Sequence, residues 1–366
     1  MDMGRAAVGL LGACLAFGLP TLPAGAAASG RTLGFVLTNF APAHDPGPND
    51  CPMGPAQTPQ QMYLATAKLD PAERQRLLRP ENGRELIQRA IKGPNGEDLC
   101  RVPEAVLHPP LNIVEGEVAN GLDLDGAIDG QAAPGTCAHR PFTSPAGEAG
   151  IDNQQYRAIG CIGFYRQGDY ARLINSFMAG GEFTFVLELR GVDDLRNDDD
   201  VEVGLYNSRD PVFTDAAGKI LPHASMRVAP DSKYRNEMRG RIVDGVLTTE
   251  PADIHLFFSQ AAAPAEYEFK AARFRLTVAP DGTLRGLMGA YRSLDNIKKG
   301  GGTAGGAAVI GMDCPAYHAA LRQLADGYPD PATGLCTALS VAHHVAAVPA
   351  FIVHETARSQ SAEAGR

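Results

Sequence analysis

The chain has 366 residues and a formal net charge of −9, from 33 Lys and Arg against 42 Asp and Glu, with 44% hydrophobic and 20% charged residues and no tryptophan. An apolar share of this size excludes wholesale disorder and gives enough chain for a sizeable core. The acidic balance argues against nucleic acid as a main partner, because phosphate binding needs clustered cations.

Residues 1–28 read as a secretory signal peptide. Arg5 precedes an uninterrupted apolar or small run from Ala6 to Leu19, too short to span a bilayer. Pro20 and Pro23 end the run, and Ala24-Gly25-Ala26 and Ala26-Ala27-Ala28 both fit a cleavage site. Leu11-Gly12-Ala13-Cys14 is also a lipoprotein-like box, but Leu15, Ala16 and Phe17 stay apolar where a polar tether is wanted. The expectation is an exported protein, periplasmic or extracellular, with no transmembrane segment in the mature chain.

Residues 29–110 look irregular with short helices. Asp70 is a good N-cap before Pro71, and Leu86, Ile87, Ala90 and Ile91 recur at helical spacing before Gly93-Pro94-Asn95-Gly96 stops the pattern. From about 111 to 297 the period changes to two. Phe183–Leu189, Val201–Tyr206, Ile254–Phe258 and Ala272–Val278 read as strands, and Ala279-Pro280-Asp281-Gly282-Thr283 turns the last of them into Leu284–Tyr291. Short strands at this spacing belong to an antiparallel sandwich or barrel. The fold class expected is mainly β: an antiparallel β-sandwich-like core with small α-helical segments at its N- and C-terminal ends. Residues 298–310, with KKGGGTAGG, read as a Gly-rich linker lacking a phosphate-loop ending. Residues 311–358 read as a disulfide-stapled helical pair, Cys314–Ala325 and Thr337–Val348, before a flexible tail at 359–366.

Beyond the leader lie Cys51, Cys100, Cys137, Cys161, Cys314 and Cys336. An even number in an oxidising compartment points to disulfides. Pairing of sequence neighbours suggests Cys51–Cys100, Cys137–Cys161 and Cys314–Cys336. No zinc or haem spacing occurs, and Cys137-Ala138-His139 reads as a disulfide beside a surface histidine.

The densest chemical constellation is Gly121-Leu122-Asp123-Leu124-Asp125-Gly126-Ala127-Ile128-Asp129-Gly130, followed by Gly150-Ile151-Asp152-Asn153-Gln154. Closely spaced carboxylates among glycines suit a hard cation, so Asp123, Asp125, Asp129, Asp152 and Asn153 are the candidate ligands of a Ca²⁺ ion. An EF-hand fails, because counting from Asp123 puts glycine fourth instead of sixth and Pro134 in place of the final glutamate. The rival reading is Asp/Gly turns whose carboxylates cap backbone amides. A second acidic stretch, Asp193, Asp194, Asp198, Asp199, Asp200 and Glu202, reads as a solvated loop between two strands. His343 and His344 lie in the expected helix Thr337–Val348, so their side chains point about 100° apart and cannot readily share a ligand. His255 reads as a sheet position. No nucleophile elbow and no H-E-x-x-H helix occur.

The LDLDG segment, a following cysteine and GIDNQ, together Gly121–Cys161, resemble a pattern in uncharacterised secreted proteins of Gram-negative bacteria. That resemblance implies export and a disulfide-linked domain, and no activity. The leading functional expectation is an exported binding protein for an unknown ligand or cell-surface partner. A secreted hydrolase using acidic loop residues or a histidine, and an envelope structural protein, remain the alternatives. A concave pocket with convergent titratable groups would favour the hydrolase.

Overall fold

The structure, a computed structural model, describes residues 30–260, 263–300 and 302–355. The expected leader and the expected tail lie outside the described residues. The first element is a twelve-residue strand, β1 (Arg31–Pro42), followed by the short helices α1 (Pro59–Thr66), α2 (Pro71–Leu77) and α3 (Gly83–Ala90). Asp70 caps α2 as its sequence suggests, accepting from the amides of Ala72 and Glu73 at 2.9 Å. A long loop leads to α4 (Gln154–Ile159), α5 (Gly163–Arg166) and α6 (Asp169–Ala179).

The strands then follow in quick succession: β2 (Phe185–Val192), β3 (Asp198–Asn207), β4 (Ala224–Arg227), β5 (Arg235–Val243), β6 (Val246–Thr249), β7 (Ala252–Gln260), β8 (Ala263–Val278) and β9 (Leu284–Ser293). Helices α7 (Leu294–Gly300), α8 (Ala304–Val309) and α9 (Cys314–Leu324) precede β10 (Gly327–Pro329) and the long β11 (Cys336–Val353). The Gly-rich stretch expected as a linker is thus largely taken up by α7 and α8.

The sandwich expectation is overturned. Antiparallel pairing runs β1-β2-β3-β5-β6-β8-β9-β11, and β11 pairs back onto β1, so eight strands close into a barrel. Alternating apolar residues serve a sandwich and a barrel equally well; what distinguishes them is the closing pair. Here Gly34 to Pro42 meets His343 to Ala350, two segments at opposite ends of the chain. The first falls in the segment 29–110 expected to be irregular with short helices, and most of the second in the expected helix Thr337–Val348. Ala-rich β11 has helix-forming composition, yet it pairs with β1 along one edge and β9 along the other, and this ladder outweighs local propensity.

One face of each strand fills the barrel. Phe35, Leu37 and Phe40 of β1, Phe185, Leu187 and Leu189 of β2, Val203 and Leu205 of β3, Met288 and Ala290 of β9, and Val341 and Val345 of β11 form one apolar cluster. Helix α6 adds Ile174 and Met178 to it. His343 lies on the same inward face of β11, stacked on Phe40 at 4.9 Å, while His344 points outward to Asp45 at 2.7 Å. A strand sends adjacent residues to opposite faces.

β7 pairs only with the first half of β8, so its other edge needs partners. Two buried asparagines supply them. Asn236 of β5 accepts from the His255 amide at 2.7 Å and donates to the His255 carbonyl at 3.0 Å. Asn207 of β3 treats Phe257 the same way, at 2.9 and 2.8 Å. Each carboxamide stands in for one peptide unit of a neighbouring strand.

Three disulfides form, but not between sequence neighbours. The pairs are Cys51–Cys161, Cys100–Cys314 and Cys137–Cys336, separated by 110, 214 and 199 residues. The three neighbour pairings are all replaced, because barrel closure brings the two ends of the chain together around the middle. Among the described residues no helix is long and apolar enough to cross a membrane.

Candidate functional site

The loop between residues 111 and 152 lies on the outer face of β9 and β11. Leu122 and Leu124 pack with Tyr291 and Ala338, and they come so close over Gly289 that a methyl group there would meet Leu124 at 3.0 Å. The GIDNQ stretch and the residues after it form the loop's scaffold. Ile151 exchanges backbone bonds with Phe142 at 2.8 and 2.9 Å. Asn153 caps α4 through the Tyr156 amide at 3.2 Å and donates to the carbonyls of Ala43 and Asn120. Arg157 lies buried over the Phe142 ring at 3.9 Å and donates to the carbonyls of Val114 and Arg140. Burial brings its guanidinium down to about 10.

This scaffold holds a polar group against the barrel. Asp125, His139 and Asp152 offer ligand atoms that all lie within 4.8 Å of one another. His139 Nε2 is 2.8 Å from Asp152 Oδ1, and Asp152 Oδ2 accepts from the Leu124 amide at 2.7 Å. His139 Nδ1 lies 3.1 Å from the Cys137 carbonyl, which can only accept, so Nδ1 carries a proton. Asp125 accepts from the Ala127 amide at 2.8 Å and the Thr136 hydroxyl at 3.2 Å. Gly130 has φ +73° and packs against the His139 carbonyl, where any side chain would collide, so glycine lets the loop close over the histidine.

Asp326 stands beside this trio, fully buried, with Oδ1 accepting from the Ser340 amide at 2.7 Å and Oδ2 without a partner. The Tyr291 hydroxyl is also buried and unpartnered. Burial raises the Asp326 carboxyl to about 7, only partly offset by Ser340 and His139. Asp152 is raised by burial despite its bond to His139. Burial alone would depress His139, but Asp152 and Asp326 lift it to about 9. Burial, with Asp326, Asp152 and Asp125 close by, also raises Tyr291. Three carboxyl groups therefore crowd one imidazole, with Arg273 nearby spending one donor on the Asp123 carbonyl at 3.1 Å. Excess negative charge away from water calls for a cation or a proton.

Of the five expected ligands, the structure brings Asp125 and Asp152 together. Asp123 accepts from the Gly126 amide at 2.6 Å and Asp129 from the Gln131 amide at 3.1 Å, both as turn-closing contacts, and Asn153 is fully committed to its cap and two carbonyls. His139, read as a surface residue, has a side chain only 4% exposed. Its burial and its nearness to Asp326 have no local signal in the sequence, because they depend on the long-range Cys137–Cys336 bond, which joins the segment carrying His139 to the strand that follows Asp326. The second acidic stretch is partly strand: Asp198 accepts from the Asp193 amide, and Asp200 and Glu202 pair with Arg239.

Fold and site together define a closed eight-stranded antiparallel barrel with a partly buried Asp-His-Asp group, Asp152 its buried member, on the outer face. No protein-family model, curated protein or solved structure matches the chain.

Proposed function

We propose that this is an exported binding protein built on a filled barrel, in which Asp125, His139 and Asp152 hold one divalent ion that pins residues 121–152 to the sheet. Three disulfides behind a leader-like N-terminus support export. The barrel's inner face is occupied by its own aromatic and aliphatic side chains, so a ligand or cell-surface partner is taken on the outside.

The observation that carries the metal reading is the convergence of three donor atoms within 4.8 Å, beside a buried carboxylate oxygen with no partner. An imidazole in the set favours a borderline ion such as zinc over calcium, which takes six to eight oxygens. Donors around tetrahedral zinc stand about 3.3 Å apart, given bonds of about 2.0–2.1 Å. Loading thus requires a short inward shift of Asp125 and release of the His139–Asp152 hydrogen bond. Nδ1 keeps its carbonyl partner, the usual support of a ligating histidine.

Titration of chelator-treated mature protein with Zn²⁺, Mn²⁺ and Ca²⁺, followed by calorimetry and thermal unfolding, tests this. One equivalent of Zn²⁺ should bind and raise Tm by mass action, and His139→Ala should abolish both effects. No binding of any of the three ions, or Zn²⁺ binding unchanged in His139→Ala, would remove the site.

A further inference from the structure

A second pairing of histidine and carboxylate lies on different elements, under the small helices. His108 Nδ1 is 2.9 Å from Asp313 Oδ1, and both side chains are buried. The same oxygen accepts from the Ala316 amide at 2.9 Å and caps α9, so the carboxylate is anchored from two sides. Its other oxygen has no partner. The neighbouring Cys314 is bonded to Cys100, which ties this end of α9 to the loop before His108.

His108 forms part of the wall of a cavity of about 610 Å³ between α1, α3 and the 92–108 loop. Leu99 and Val106 supply apolar surface, and Tyr63, Arg89 and Lys92 supply polar groups. Arg89 is held by Glu73 and Glu85 at 2.9 and 2.6 Å, whereas Lys92 is exposed. Nε2 of His108 makes no hydrogen bond among the described residues. A carboxylate that fixes Nδ1 and leaves Nε2 unbonded, on a histidine that lines a concave, partly apolar space, is the arrangement that general-base chemistry needs.

We propose that this cavity is a hydrolytic site for small carboxylic esters, with His108 as general base and Asp313 as the residue that positions it. A water on Nε2 attacks the acyl carbon and its proton passes to Nε2. The tetrahedral oxyanion collapses, the acyl–oxygen bond breaks, and the proton on Nε2 goes to the leaving alkoxide. Water is the only co-reactant. Lys92, on the same cavity wall, supplies positive charge for the oxyanion and then for the carboxylate product, and Leu99 and Val106 line the space that receives the acyl chain. The cavity volume suits an acyl group of a few carbons up to a medium chain.

The test is release of nitrophenolate from 4-nitrophenyl acetate, butyrate and octanoate by the full mature chain, against an equal concentration of free imidazole. Saturable turnover above that background is expected for at least one ester. His108→Gln should lower kcat/KM by about 100-fold or more. Asp313→Asn keeps the cap on Ala316 and removes only the charge, so it should lower kcat by at least about tenfold with KM near the parent value. Thermal unfolding of both variants near the parent Tm shows that the fold is intact. Absence of saturable turnover with all three esters, full activity in His108→Gln, or unchanged kcat in Asp313→Asn would overturn the proposal.

Discussion

At the residue scale, His343 shows how burial converts a titratable group into a pH sensitivity. It sits inside the barrel between Phe40 and Phe269, and burial, with Arg292, His44 and His344 adding repulsion, holds it neutral well below its ordinary range. Burial likewise takes His44 down to about 3. The unfolded chain binds a proton at each of these rings below about pH 6.5, and the folded chain does not. Stability contributed by neutral His343 is therefore present above that pH and lost as the solution is acidified. Thermal unfolding at pH 7 and pH 5 should show a fall in Tm that is smaller in His343→Leu than in the parent. An equal fall in both would mean that the ring charges freely in the folded state. His139 has the opposite sign: raised to about 9, its contribution is full below about 6.5 and lost as pH rises through its folded value.

At the element scale, each asparagine clip on β7 depends on a single side chain. Asn236 is 5% exposed and its carboxamide makes three bonds, the third a donation to the Leu205 carbonyl at 2.9 Å. Asn236→Ala leaves the His255 amide and carbonyl facing an apolar gap, and should cost about 2–4 kcal/mol in urea unfolding, from unpaired buried polar groups and a small cavity. A loss within about 0.5 kcal/mol would show that water takes over the role. Elements whose signals are local were legible beforehand. Asp70 before Pro71 marks α2, Asp281-Gly282 marks the β8–β9 turn, and alternation marks β2 and β3. β11 was not legible, because Ala338, Ala342, Ala346 and Ala347 favour helix until partners on two edges are present. Pairing with such partners lies outside any sequence window.

At the scale of the whole molecule, the disulfides brace the closed topology. In the chain-entropy picture, loops of these lengths are each worth about 5 kcal/mol when taken singly. Peptide mapping without reduction should recover Cys51 with Cys161, Cys100 with Cys314 and Cys137 with Cys336; a peptide joining Cys137 to Cys161 would contradict the arrangement. The Cys137–Cys336 bond also holds the loop that carries His139 against the strand end that follows Asp326. Replacing both cysteines by serine should lower Tm and weaken Zn²⁺ binding together, whereas replacing Cys51 and Cys161 should leave the Zn²⁺ affinity much closer to the parent value.

Composition and spacing alone determined that the chain is mainly β with short capped helices, that its cysteines are even in number, and that Asp125 and Asp152 are candidates for one site. These properties rest on interactions between residues a few positions apart. Barrel closure, the identity of each disulfide and the meeting of His139 with Asp152 and Asp326 were decided by tertiary structure. Each depends on which distant segments share a surface, and that choice is made by the summed burial and hydrogen bonding of the whole sheet, with no signature in the spacing of neighbouring residues.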